Sequence, residues 1–564
     1  MKSLDQCAQQ WEEIAARKRA IRDAAVKKYL PSILEAGQLP WSSISERAIT
    51  GIAELEELQG KIGCGEFTSE AVLRAYIRRA ALTHSLTNCL TEVLFDDALQ
   101  QARLQDEYFR THGRTIGPLH GIPVTLKDQF NVRGWDTTLG YVGRAFKPAA
   151  EDAVLVRVLR GLGAVVFAKT NLPQSIMVVG VAYDSFQWNE TENPLWGLTM
   201  NPNNLSFTPG GSTGGEAVLL ACQGSLIGWG TDLGGSVRIP SANQGVYGLR
   251  PSSGRIPYLG VPVSMEGQEH VHSVIGPMAR TLSTLTTVMK MIIEAQPWRL
   301  DPQCLSISWR EERYQDVQLR PLVIGLLLDD GVVKVHPPIE RALKEMEAKL
   351  IAAGHEIVHW DPSGHQSLIE IMDLYYTADG GEDIRKDIEA GGEPFIPHVK
   401  ASFIGKKAIS VYEYWQLNRR KLAAQTAYLE KWNSTRGPKT GGEVDVLLTP
   451  VAPHCAVPHR KSRWLGYSKV WNILDYTALA FPVSTVSKVL DPFPTVPYQP
   501  RNDQDAWNWS VYDPESMDGH PVGLQIVGRR FEEEKVLGTA AVFEKVLGRH
   551  IKARPVSALL HGRP

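Results

Sequence analysis

Residues 209–215 read Pro-Gly-Gly-Ser-Thr-Gly-Gly and residues 230–236 read Gly-Thr-Asp-Leu-Gly-Gly-Ser, so two glycine-rich loops carry serines 212 and 236 within 24 residues of each other. Glycine has no Cβ, which lets a loop turn sharply and aim successive backbone N–H groups at one substrate atom. Gly234 and Gly235 give the second loop the geometry an oxyanion hole needs, with Ser236 as the nucleophile.

A serine hydroxyl is a weak nucleophile at neutral pH and needs a base. In Gly-Ile-Pro-Val-Thr-Leu-Lys-Asp, residues 121–128, Val124 and Leu126 alternate with Thr125 and Lys127. That pattern predicts a short strand ending near Lys127. Burial there disfavours the ammonium form and leaves an amine able to accept a proton. Lys127 is the candidate base. Gly-Gly-Ser-Thr-Gly also fits the G-x-S-x-G nucleophile elbow, which would make Ser212 the nucleophile, but the elbow follows an apolar strand. Here Asn-Pro-Asn-Asn-Leu-Ser-Phe-Thr-Pro precedes the serine and reads as a loop. Each residue alone has an ordinary explanation, as a turn hydroxyl or a charge at a strand end. Turn chemistry does not call for all three loops together.

The three loops, with Ala-Lys-Thr-Asn-Leu-Pro-Gln-Ser at 168–175 and Gly-His-Pro-Val-Gly-Leu-Gln-Ile-Val-Gly-Arg-Arg at 519–530, resemble the amidase signature family. The resemblance runs from about residue 60 to the end of the chain. Asn-Pro-Leu-Trp-Gly at 193–197 and Ser-Met-Glu-Gly-Gln at 264–268 are most like its fungal general amidase or acetamidase branch. It implies a Ser–cis-Ser–Lys triad of Ser236, Ser212 and Lys127, with Ser212 relaying protons to Lys127, an oxyanion hole donated by the N–H groups of Leu233, Gly234, Gly235 and Ser236, and supporting roles for Thr213, Asp232 and Arg238. Ile176, Met177, Gly210 and Gly211 are the candidate substrate contacts. Thr213 stands where the family commonly has a second serine, keeping the hydroxyl and adding a methyl group. The segment 176–191 is longer than related amidases carry. Its Val178, Val179, Val181, Tyr183, Phe186 and Trp188 would line or roof the acyl pocket, although an incorrectly assembled gene would give the same insertion. The implied activity is hydrolysis of a small aliphatic amide through a seryl acyl-enzyme, with no metal or organic cofactor. Aryl or fatty amides, esters and carbamates remain alternatives, as does a glutamine-hydrolysing amidotransferase subunit.

Composition fits a small-molecule enzyme. The 564 residues carry 60 Lys plus Arg against 62 Asp plus Glu, a net charge of −2, so no electrostatic footprint for nucleic acid is expected. Six scattered cysteines argue against a disulfide framework. His454-Cys455 with His459 lacks a second ligand pair for zinc. Neither glycine loop has Gly-x-x-x-x-Gly-Lys-Ser/Thr or dinucleotide spacing, which sets aside a nucleotide-binding module. No signal core or spanning stretch is evident, so a cytoplasmic protein without stable membrane insertion is expected. Small-molecule amide and water are the expected partners, and a homodimer is left open.

Apolar runs at Ala164–Ala168, Leu322–Leu328, Val444–Leu448, Val483–Val489 and Val522–Val527, separated by helical stretches such as 338–353, predict an α/β chain. The resemblance implies a single large α/β/α domain with a mixed central sheet covered by helices, spanning 61–564, after a helical extension over 1–60. In that extension, residues 4–30 read as an amphipathic helix, with Leu4, Cys7, Trp11, Ile14, Ile21 and Ala25 packing inward and Arg17, Lys18, Arg19, Arg22, Lys27 and Lys28 forming a solvated face.

Overall fold

Strands buried on both faces are recognisable as unbroken apolar runs, and such runs form the middle of this molecule. The computed structural model describes residues 4–30, 44–176, 189–494 and 497–548. Its strands are β1 (Leu90–Val93), β2 (Pro123–Lys127), β3 (Val165–Thr170), β4 (Glu192–Asn193), β5 (Gly197–Leu198), β6 (Ile227–Asp232), β7 (Tyr247–Arg250), β8 (Val274–Ala279), β9 (Val323–Leu326), β10 (Glu356–His359), β11 (Val446–Pro450), β12 (Ala478–Thr485) and β13 (Pro521–Val527). Eleven of them join one sheet in the order β1-β3-β2-β6-β8-β7-β12-β13-β11-β9-β10, while β4 and β5 pair separately. The sheet is mixed: β3-β2-β6 and β10-β9-β11 run parallel, and the pairs between these two blocks are antiparallel. Every residue of β2, β3, β6, β8 and β11 is buried. The expected α/β layering is therefore present.

Four of the five predicted strands stand within two or three residues of their expected bounds, and helix Pro337–Ala352 matches the predicted 338–353. The run Val483–Val489 does not. Its strand, β12, lies five residues earlier and ends at Thr485. The reason is Pro482, which has no N–H for the ladder; the pairing of β12 with β13 breaks register between Pro482 and Ser484 and so accommodates it. Beyond Thr485 the chain leaves the sheet, with Ser487 N–H donating to the Asp491 carboxylate and Val489 80% exposed.

The N-terminal helix, Leu4–Lys27, packs Trp11, Ile14 and Ala25 inward as expected and corrects the predicted face at other positions. Ala15, Lys18, Arg22 and Val26 are buried, whereas Ile21 points outward. Lys18 Nζ lies 2.5 Å from Glu92 and 2.8 Å from Asp136. Arg22 donates to Leu90 O at 3.0 Å, and Arg19 to the carbonyls of Pro194 and Leu195. Buried charge survives only when paired and hydrogen-bonded, and strand β1 and the 194–196 turn supply those partners. Three cations predicted to be solvated instead dock the helix. Further along the extension, Leu55 N–H donates to Thr284 Oγ1 at 2.9 Å, tying helix Leu55–Gly63 to helix Leu282–Glu294.

Candidate active site

Strands β2 and β6 are parallel neighbours, with Leu126 opposite Trp229. Lys127 is the last residue of β2 and Thr231 lies two residues beyond Trp229 in β6, so the long lysine side chain meets Thr231 at the C-terminal ends of the two strands. Lys127 Nζ lies 2.9 Å from Thr231 Oγ1 and 2.6 Å from Ser212 Oγ. Lys127 is wholly buried, and that burial, opposed by the negative charge of Asp232, brings its pKa from 10.5 down to about 7. The amine expected from the sequence is thus a group titrating near neutrality.

Ser212 follows a cis Gly211–Ser212 peptide bond and precedes helix Gly214–Ala221. A Cβ on Gly211 would meet Glu190 O at 2.3 Å, which explains the glycine there. Thr213 N–H donates to Ser236 O at 3.1 Å, joining the two glycine loops, and the Thr213 methyl lies over Gly230, where a Cβ would come within 2.5 Å of it. Behind these loops Glu216 is buried, accepting from the hydroxyls of Thr125 and Thr170. Burial raises its pKa to about 8, against the pull of those two hydroxyls.

The second loop is wrapped around Asp232. Its Oδ1 accepts from Gly235 N–H at 2.8 Å, Arg238 Nη2 at 3.0 Å and Asn472 Nδ2 at 2.9 Å. Its Oδ2 accepts from Val237 N–H at 3.2 Å and Arg238 Nε at 3.0 Å. Burial opposes this carboxylate, but the Arg238 charge and the hydrogen bonds outweigh it and hold the acid well below the usual range. Arg238 in turn donates to Ser468 O, Gln525 Oε1 and Asn472 Oδ1. Gly235 takes φ +120, and a Cβ there would sit 2.6 Å from Ser468 Cβ. Because Gly235 N–H is spent on Asp232, the remaining donors of the expected oxyanion hole are Leu233, Gly234 and Ser236, whose N–H groups meet no acceptor among the described residues.

Ser236, half-buried, faces a cavity shared with Gly211 and the 233–235 turn and walled by Ile176, Ile239 and Leu465, with Asn189 and Tyr376 as its polar members. Of the predicted substrate contacts, Ile176 and Gly211 line this cavity. Gly210 instead backs onto Pro240 and Asn243, and Met177, like the rest of 177–188, lies outside the described residues. His454 bonds Cys455 O and His459 bonds Glu190.

An amidase family profile covers residues 71–537. The chain belongs to the amidase family. It is a hydrolase acting on amide C–N bonds. It is 55% identical over 537 residues to Amidase 1 of Gibberella moniliformis, covering 95% of this chain and 99% of that one. It is 39% identical over 553 residues to the acetamidase of Emericella nidulans, covering 96% and 99%. Among solved structures, a fatty acid amide hydrolase superposes with a TM-score of 0.86 at 32% identity, over 96% of this chain and 95% of that one. No helix of this amidase is long and apolar enough to cross a membrane among the described residues.

Several residues that build the candidate site have no role assigned to them from the sequence. Thr231 is not disclosed by strand alternation, which sets it with Trp229 and Leu126 on the face opposite to Lys127. Asn472 and Gln525 approach Arg238 from 234 and 287 residues away, and Tyr376 donates to Leu233 O at 3.2 Å from helix His365–Tyr376. Gln525 lies within the 519–530 stretch quoted above, but no local pattern marks Asn472 or Tyr376.

Proposed function

We propose that Ser236 attacks the carbonyl carbon of a small aliphatic carboxylic amide, with Lys127 as the base and Ser212 as the proton relay. The observation that carries this reading is the 2.6 Å approach of Lys127 Nζ to Ser212 Oγ inside a buried pocket. The Ser236 proton passes to Ser212 as the Ser212 proton passes to Lys127. The N–H groups of Leu233, Gly234 and Ser236 stabilise the oxyanion, each such donor contributing about 3 to 4 kcal/mol to the transition state. Proton return through Ser212 releases ammonia or an amine and leaves the acyl-enzyme. Water then repeats the relay and frees the carboxylate. Thr213, Asp232 and Arg238 hold the two serine loops in place.

Short acyl chains are supported by the similarity to the acetamidases of Emericella nidulans and Aspergillus oryzae, 39% and 38% identical to this chain. The likeness to fatty acid amide hydrolase keeps longer chains as a second reading. This chemistry calls on neither nucleic acid nor a second subunit, and a free-standing cytoplasmic enzyme is the setting we propose for it. The test is ammonia and carboxylate release from acetamide, longer aliphatic amides, an aryl amide, glutamine and an ethyl carbamate, with wild type beside Ser236→Ala. Turnover should be greatest on short amides and should fall at least 10³-fold in the variant, in line with the loss of a serine nucleophile (about 10⁶-fold in the best-studied case). Normal turnover by Ser236→Ala would refute the assignment.

A further inference from the structure

Thr231 Oγ1, which touches Lys127 Nζ, is also 2.7 Å from Gln129 Oε1. Gln129 Nε2 donates to Tyr258 OH at 3.0 Å, and Tyr258 OH donates to Ser273 Oγ at 2.8 Å. Gln129 and Thr231 are buried, while Tyr258 and Ser273 line the wall of a groove at the surface. This chain of side chains has a direction. A carboxamide offers one oxygen that only accepts and one nitrogen that only donates. With Nε2 committed to Tyr258, Gln129 presents its oxygen to Thr231. The single Thr231 proton is then spent on Gln129, and toward Lys127 the Thr231 oxygen is an acceptor only.

A neutral lysine amine carries two N–H bonds and one lone pair. One N–H goes to Thr231. We propose that Gln129 and Tyr258 are positioning residues that, by fixing the Thr231 hydroxyl as an acceptor, leave the Lys127 lone pair free for Ser212. The inference rests on the reading of Lys127 as the base. It also separates orientation from proton conduction: the Gln129 carboxamide interrupts any run of hydroxyls between Lys127 and the groove, so the proton taken from Ser212 is retained at Nζ until the leaving group or the next relay claims it. Asp232 is the charge that acts on Lys127, and none of the four side chains in the chain is ionised, so the chain works through hydrogen-bond direction.

Gln129→Leu removes the acceptor at nearly constant volume. The freed Thr231 proton then turns to the Lys127 lone pair and competes with Ser212. A hydrogen bond donated to the neutral amine favours the neutral form. The base should therefore titrate at lower pH and yet react more slowly, a combination that loose packing does not produce. The readout is the rate at which a fluorophosphonate modifies Ser236, followed against pH. Phosphorus–oxygen bond formation expels fluoride, and the serine proton leaves through the same base. Gln129→Leu is expected to lower the plateau rate about tenfold and move the midpoint to lower pH. In the Thr231→Val background, where no hydroxyl remains to misdirect, the same substitution should change the plateau less than about twofold. Tyr258→Phe, at the groove wall, should act in the same direction and more weakly, and serves if Gln129→Leu does not fold. Equal penalties in both Thr231 backgrounds, or an unmoved or raised midpoint, overturn the inference. Labelling that survives Ser236→Ala or Lys127→Ala overturns the underlying reading instead, so the two failures are distinguishable.

Discussion

An ammonium ion at Lys127 has exchanged water for two hydroxyls, Ser212 and Thr231, and the distant charge of Asp232 only partly compensates. The pKa falls from 10.5 to about 7, a difference on the order of 5 kcal/mol between the two protonation states. Two predictions follow with defined signs. The proposed relay needs the neutral amine, so kcat/KM should rise with pH through about 7 and level off above it, as a pH–rate profile would record. Stability should rise in the same direction. Between about 7 and 10.5 the folded protein binds fewer protons at this site than the unfolded chain does, so unfolding becomes harder as pH increases across that window. Lys127→Met should remove this part of the slope and unfold at a higher temperature than wild type at pH 7 in calorimetry, while losing activity. At this scale the sequence was informative about chemistry: Lys127, Ser212 and Ser236 stand in loops whose glycines disclose a tight backbone. It was silent on which hydroxyl each group faces, because Gln129 and Thr231 are 102 residues apart.

At the scale of elements, a pattern of residue types reveals a helix or strand more readily than the direction it faces. The N-terminal helix was legible from its 3.6-residue period, yet Lys18 and Arg22 turn inward, since polarity is visible in a sequence and the identity of a partner is not. Removing Lys18 leaves Glu92 and Asp136 buried and close together without their cation. Lys18→Met should therefore cost about 3 to 5 kcal/mol, read as a lower urea midpoint, even though it replaces a charge by an apolar chain. Pairing it with Asp136→Asn should recover part of that loss. Strand β12 illustrates the complementary limit. Pro482 argues against a strand wherever only the sequence is seen, and the irregular register opposite β13 that admits it is a property of two strands 40 residues apart rather than of either one.

The whole molecule shows why sheet order was not legible although α/β layering was. Apolar runs announce strands, but neighbours such as β7 and β12, or β8 and β6, are chosen by packing across long stretches of chain. The two serine loops depend on that assembly. Asn472→Leu touches no predicted substrate contact, but it strips a donor from Asp232 and an acceptor from Arg238. It should lower kcat by about 10- to 100-fold, the scale of a small misplacement of reacting groups, with the fold retained by circular dichroism. The docking of the N-terminal helix carries one more consequence, in time rather than in energy. Arg19 finds its acceptor 176 residues downstream, at Leu195. At roughly 5 to 20 residues per second, a nascent chain would present Arg19 for about 10 to 35 seconds before its acceptor has been synthesised. Lys18 and Arg22 find Glu92 and Leu90 sooner, so the helix is held by strand β1 first and is locked by the 194–196 turn only later, an order of assembly written into the spacing of its partners.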